Sequence, residues 1–124
     1  MQTLRIELTS PSPGTSRHLL AHRLGQAGAR PKAYLQAAIH ADELPGVLVL
    51  RHLLGLLQEA ERQGRILGEI VLVPMANPIG SAQSVMQSHL GRFDLALMTN
   101  FNRGWPDFAA ALVERMAGRL SDDA

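Results

Sequence analysis

The stretch Ala33-Tyr34-Leu35-Gln36-Ala37-Ala38-Ile39-His40-Ala41-Asp42-Glu43-Leu44-Pro45 changes character part-way along its length. Residues 33–39 are mostly apolar and follow Pro31, as expected of a strand buried on both faces in a parallel sheet. That run ends on His40, and Pro45 opens a different pattern. Val47, Leu50, Leu53, Leu54 and Leu57 recur at helical spacing, with Gln58, Glu59, Glu61 and Arg62 as the wet side and Gly64 beyond. Ile70-Val71-Leu72-Val73, stopped by Pro74, reads as the next buried strand.

Working outward, Leu4, Ile6 and Leu8 fall on one face of a short strand that the turn cluster Ser10-Pro11-Ser12-Pro13-Gly14 must end. From Ser16 to about Ala27, Leu19, Leu20 and Leu24 suggest a helix that turns Arg17, His18 and Arg23 outward and stops at Gly28. The expected order is strand, helix, strand, helix, strand, an α/β fold with flanking helices on a mostly parallel sheet. Residues 76–105 show no sustained period apart from a short helix near Ser81 to Ser88, and so long an irregular stretch is usually functional or poorly ordered. Phe108 to Leu120 makes a last amphipathic helix, with Leu112, Val113, Met116 and Leu120 on its apolar side. No internal repeat or linker divides residues 1–124, which read as a single α/β segment.

With 46% apolar and 19% charged residues among 124, the chain is not a disordered tail. Twelve basic against eleven acidic residues leave a net charge of +1 without a basic cluster, which argues against nucleic acid as a partner. The absence of cysteine excludes disulfides, a thiolate zinc site and a cysteine nucleophile, so any metal must be held by His and carboxylates. The N-terminus has no signal-peptide apolar stretch, and the aliphatic run Val47 to Leu50 stops at Arg51-His52, far short of the ~20 residues of a membrane span. A cytoplasmic protein without a membrane partner is expected.

His40-Ala41-Asp42-Glu43 stands where strand gives way to helix, and open α/β sheets put ligands at the carboxyl ends of their strands. With five His and six Glu, about a quarter of an H-x-x-E match is expected by accident, so position carries more weight than spacing. A His nitrogen and a carboxylate three residues apart across such a bend can converge on one cation. Equally, Asp42 and Glu43 could simply complement the positive end of the following helix. His18 and His22, four apart, could bind a metal but more often form a solvated face, and either His52 or His89 could enter a site. Ser81, Ser84 and Ser88 lack a Gly-x-Ser-x-Gly setting, which argues against a serine nucleophile.

Downstream come Asn77-Pro78-Ile79-Gly80, Gly91-Arg92-Phe93-Asp94 and Asn100-Phe101-Asn102-Arg103-Gly104-Trp105-Pro106. Taken in order with His40 to Glu43, these motifs resemble the succinylglutamate desuccinylase/aspartoacylase family of zinc carboxypeptidase-like enzymes, from about Leu35 to Pro106. The resemblance implies part of a zinc carboxypeptidase-like fold and a zinc-dependent deacylase cleaving an amide or acyl bond of a small carboxylate-bearing substrate. His40 and Glu43 would be two zinc ligands, Arg92 the catalytic arginine that polarises the scissile carbonyl, and Asn102 and Arg103 the residues that grip the substrate carboxylate. The chemistry suits these roles: a guanidinium offers paired donors to a carboxylate and, aimed at a developing oxyanion, stabilises it. Loop arginines making surface ion pairs are the plainer alternative.

Three positions depart from the family pattern: Ala41 replaces a commoner glycine, Asn100-Phe101 the more usual Asp-Leu, and Trp105-Pro106-Asp107 the usual Phe-Pro-Gly. The family's third zinc ligand and glutamate base come from beyond the Asn-Arg pair, whereas only 21 residues follow Arg103 here, none of them His. The chain is therefore expected to be the amino-terminal part of a larger zinc-hydrolase domain, inactive alone and prone to self-association through an exposed sheet edge. The competing reading is a non-catalytic anion-binding α/β module using Arg92, Arg103 and a helix N-terminus.

Overall fold

In a computed structural model that describes residues 1–117, strand β1 (Gln2–Leu8) turns back through residues 9–16 into β2 (Arg17–Gly25). The turn is tied by Thr15 Oγ1, which donates to the Ser12 carbonyl at 2.8 Å, and by Gly14 in the left-handed region at φ +80°. So short a connection forces antiparallel pairing, with Leu4 opposite Ala21, Ile6 opposite Leu19 and Leu8 opposite Arg17. Leu4, Ile6 and Leu8 do share a face.

The helix expected over Ser16 to Ala27 is therefore a strand. Leu20 and Leu24 are four apart, a spacing that satisfies both the 3.6-residue period of a helix and the two-residue alternation of a strand. His18, Leu20, His22 and Leu24 consequently share one face of the sheet. Next come β3 (Lys32–Gln36), α1 (Pro45–Arg62) and β4 (Glu69–Val73). The four strands lie in the order β1-β2-β4-β3. The β2–β4 pair is antiparallel, and only β3–β4, joined through α1, is parallel. The sheet is thus mostly antiparallel rather than mostly parallel. Nor is β3 buried on both faces: it occupies an edge, with Tyr34 56% exposed and Leu35 half-buried.

Helix α1 forms as the periodicity predicts. Pro45 stands in the first turn, where a missing N–H costs nothing, and the helix ends ahead of Gly64 at φ +67°. Leu50 and Leu54 pack against Leu24, Leu72 and Ala37, flanked by Leu35, Val47, Leu53 and Ile70. Truncating a buried leucine of this kind to alanine typically costs about 2–5 kcal/mol. On the other face of the sheet Glu69, 1% exposed, lies 3.0 Å from Lys32 Nζ and 3.0 Å from Arg23 Nε, and accepts a 3.1 Å bond from the Gly28 N–H. A buried carboxylate is tolerable because it is surrounded in this way.

Beyond β4 the chain is more ordered than its composition suggests. It forms α2 (Pro78–Ser81), a hairpin of β5 (Ser84–Val85) and β6 (Ser88–His89), and a second of β7 (Phe93–Asp94) and β8 (Thr99–Asn100). The short helix ends at Ser81 rather than running from it to Ser88. The last helix, α3, covers Ala109–Met116 and leaves Leu112 and Val113 exposed; Leu120 lies outside the described residues. Among the described residues no helix is long and apolar enough to cross a membrane.

Candidate functional site

Residues 37–43, which link β3 to α1, are laid along the end of β4. Ala37 N–H donates to the Val73 carbonyl at 3.1 Å and Ala76 N–H to the Ala37 carbonyl at 2.9 Å. Asn77 then spans two segments: its Nδ2 donates to the Ile39 carbonyl at 2.8 Å, while its Oδ1 caps α2 by accepting from the Gly80 N–H at 2.8 Å. Ala41 N–H donates to the Gly91 carbonyl at 2.9 Å. Gly91 has to be glycine for this approach, since a Cβ there would stand 2.5 Å from the Asp42 nitrogen and 2.8 Å from the Ala41 carbonyl carbon. That contact delivers the next residue, Arg92, to His40.

His40 is 5% exposed and sits at the centre of the cluster. Its Nδ1 lies 3.2 Å from Glu43 Oε1 and accepts from Arg92 Nη1 at 2.9 Å. Arg92 Nη2 donates to the same Glu43 oxygen, and Arg92 Nε is 3.9 Å from Asp42 Oδ2. The other ring nitrogen, Nε2, lies 2.8 Å from Asn100 Oδ1. The Arg92 hydrogen bond, together with the nearby guanidinium charge, holds the Glu43 carboxyl below its ordinary range, so Glu43 is ionised at neutral pH. Neither Asp42 nor Glu43 caps α1: Leu44 is the N-cap, and no side chain bonds there. The carboxylates therefore give the helix no side-chain hydrogen-bond cap.

The structure brings His40, Glu43 and Arg92 together and does not bring in Asn102 and Arg103 by their side chains. Asn102 reaches the cluster through its backbone N–H, which donates to Asn100 Oδ1 at 2.8 Å, while its side-chain oxygen accepts from Trp105 Nε1 at 2.9 Å. Exposed Arg103 donates to the Asn102 carbonyl at 2.7 Å. His89 Nε2 lies 3.0 Å from the Gly80 carbonyl, and His52 is exposed on α1. His22 Nδ1 lies 3.1 Å from Thr3 Oγ1 on the sheet, away from this cluster. A cleft of about 380 Å³, lined by Asp42, His89, Leu90, Arg92, Phe93 and Met98, adjoins the site. A larger groove of about 520 Å³ lies between β2 and α1 and touches none of the cluster.

The catalytic-domain model of the succinylglutamate desuccinylase/aspartoacylase family matches residues 29–121, three quarters of the sequence. The chain belongs to this family. Among solved structures, a succinylglutamate desuccinylase/aspartoacylase family protein from Shewanella amazonensis is 33% identical over 99% of the chain, with a TM-score of 0.75. A protein from Shewanella frigidimarina named for the same two activities is 27% identical over 98%, with a TM-score of 0.76. The chain spans 33% and 32% of those two proteins. No curated protein matches it.

Whether this family member's own residues suit a zinc ion can be judged from what occupies the cluster. His40 Nδ1 and Glu43 Oε1 already converge on a cation, the Arg92 guanidinium, and nitrogen and oxygen donors are those zinc takes. They amount to two, and among the described residues no group of three metal-binding side chains exists. The donor chemistry fits, as part of a set. Asn100 and Asn77, which assemble the cluster, carry no role in the sequence reading; the one signal was that Asn100 departs from the family's usual Asp.

Proposed function

We propose that this chain contributes part of the active site of a zinc-dependent deacylase that cleaves an amide or acyl bond of a small carboxylate-bearing substrate. The observation that carries the reading is the convergence of His40 Nδ1 and ionised Glu43 on one cationic group beside an open cleft. His40 and Glu43 would hold zinc, with a third protein donor still required for a catalytic site. When bound, zinc supplies a Lewis acid and lowers the pKa of water. Arg92, half-exposed between the two donors and the cleft, would polarise the scissile carbonyl and stabilise the charge that develops on it. Asn102 and Arg103 would grip the substrate carboxylate, for which the planar guanidinium of Arg103 is suited.

Calorimetric titration of the 124-residue chain with zinc tests this reading. Binding is expected to be weak, weakened further by His40→Ala and unaffected by His18→Ala, with no hydrolysis of N-acyl amino acids. Tight stoichiometric zinc that survives His40→Ala would place the metal elsewhere and overturn the assignment. Zinc-dependent hydrolysis by these 124 residues would overturn the requirement for a further donor.

A further inference from the structure

Asn100 has no part in the chemistry proposed above, yet it closes the cluster. The β7–β8 hairpin pairs Phe93 with Asn100, and the Phe101 N–H donates to the Arg92 carbonyl at 3.2 Å, so Arg92 and Asn100 leave the same hairpin side by side. Between them they take both nitrogens of one buried ring: Arg92 at Nδ1, 2.9 Å, and Asn100 at Nε2, 2.8 Å.

The hydrogen-bonding roles are determined by the neighbours. The Asn102 backbone N–H lies 2.8 Å from Asn100 Oδ1, so that atom must be the amide oxygen; an exchanged amide would set donor against donor. The oxygen facing His40 is therefore an acceptor, and Nε2 must carry the proton. On the other side Arg92 has only donors, so Nδ1 must offer its lone pair. Glu43 Oε1, more distant at 3.2 Å, is already satisfied by Arg92. Only the neutral Nε2–H tautomer meets all of these demands.

We propose that Asn100 is a positioning residue: its Oδ1 holds His40 as the Nε2–H tautomer, turns Nδ1 toward the cation-binding side, and, being neutral, leaves the imidazole a weaker donor than a carboxylate would. The donor-strength part rests on the zinc reading above; the tautomer part does not. Partners on the far nitrogen of a ligating imidazole fix its tautomer, raise its basicity, and change metal affinity by about 10- to 100-fold when replaced.

Nitrogen-15 NMR of the full metal-free chain is expected to show His40 as the Nε2–H tautomer, with a downfield ring proton that exchanges slowly. Asn100→Leu, isosteric and without an acceptor, should expose that proton to exchange, whereas Asn100→Asp should retain it and move it further downfield. In zinc titrations Asn100→Asp should bind about 10-fold more tightly than the unaltered chain and Asn100→Leu about 10-fold more weakly. A purely structural role gives no reason for the aspartate to improve binding. An Nδ1–H tautomer, or a ring proton indifferent to Asn100→Leu, would overturn the proposal; where the unaltered chain binds zinc, an aspartate variant that binds it no better would overturn the donor-strength part. If Asn100→Leu does not fold, the aspartate variant carries both readouts. Failure of all three chains to bind zinc, with the ring proton behaving as expected, would sink the zinc reading and leave the tautomer assignment standing.

Discussion

Arg92 gives one terminal nitrogen to His40 and the other to Glu43, so a single side chain bonds to both. The depression of the Glu43 carboxyl comes first from its bond to Arg92. Arg92→Ala should therefore move the Glu43 titration upward toward the ordinary glutamate range, read from its side-chain carboxyl resonance across an acid titration. The sign follows from the lost cation: without it the protonated carboxyl competes better, and Glu43 is neutral over more of the acid range. An unchanged or lower titration midpoint would mean that Arg92 does not rest on Glu43 in solution. At this scale His40, Glu43 and Arg92 were legible as a set only through the family resemblance carried by the order of their motifs along the chain. Asn100 was not, since its value depends on a bond to a residue sixty positions away, which no local pattern carries.

Among the elements, α1 was readable because five apolar positions repeat with its turn, and β2 was not because two leucines four apart suit either period. The β5–β6 hairpin is hidden for another reason. Its turn places Met86 and Gln87 at φ +47° and +69°, a conformation that usually draws Asn or Gly, so the customary signal is missing. Strand β4 brings a pH dependence of its own. Glu69 is held below its ordinary range chiefly by its hydrogen bond to Lys32, helped by the Gly28 N–H and the charges of Lys32 and Arg23. A carboxyl with a lowered folded-state pKa stabilises the fold fully above its unfolded value, about 4.3, and loses that contribution as pH falls through the lowered one. Thermal midpoints followed from pH 7 to pH 3 should thus fall in acid, and Glu69→Gln should start lower at pH 7 and decline less steeply. Parallel pH curves for the two proteins would remove Glu69 as the cause.

Taken whole, the molecule buries few large side chains for its composition. Leu24, Leu50, Leu54, Leu72 and Val73 are the large residues of the core, while nineteen large apolar residues are exposed among those described, Leu48, Val49, Leu56, Phe108 and Val113 included. Strands β1 and β3 are the sheet's two edges. Such surfaces favour association. Sedimentation velocity should therefore show an average mass that rises with protein concentration, and a concentration-independent monomer would refute the expectation. The bridge formed by Asn77 matters on a different axis, that of time. One carboxamide latches the segment bearing His40 at Ile39 and the start of α2 at Gly80, and both latches share the same two side-chain bonds of rotation. The two segments cannot be released independently: when that side chain swings away, the amide of Gly80 loses its acceptor in the same event that frees the strip carrying the histidine. Hydrogen exchange there would report one shared opening, well below the free energy that guards the leucines of the sheet, and the cluster would exist only for the fraction of time that latch is shut.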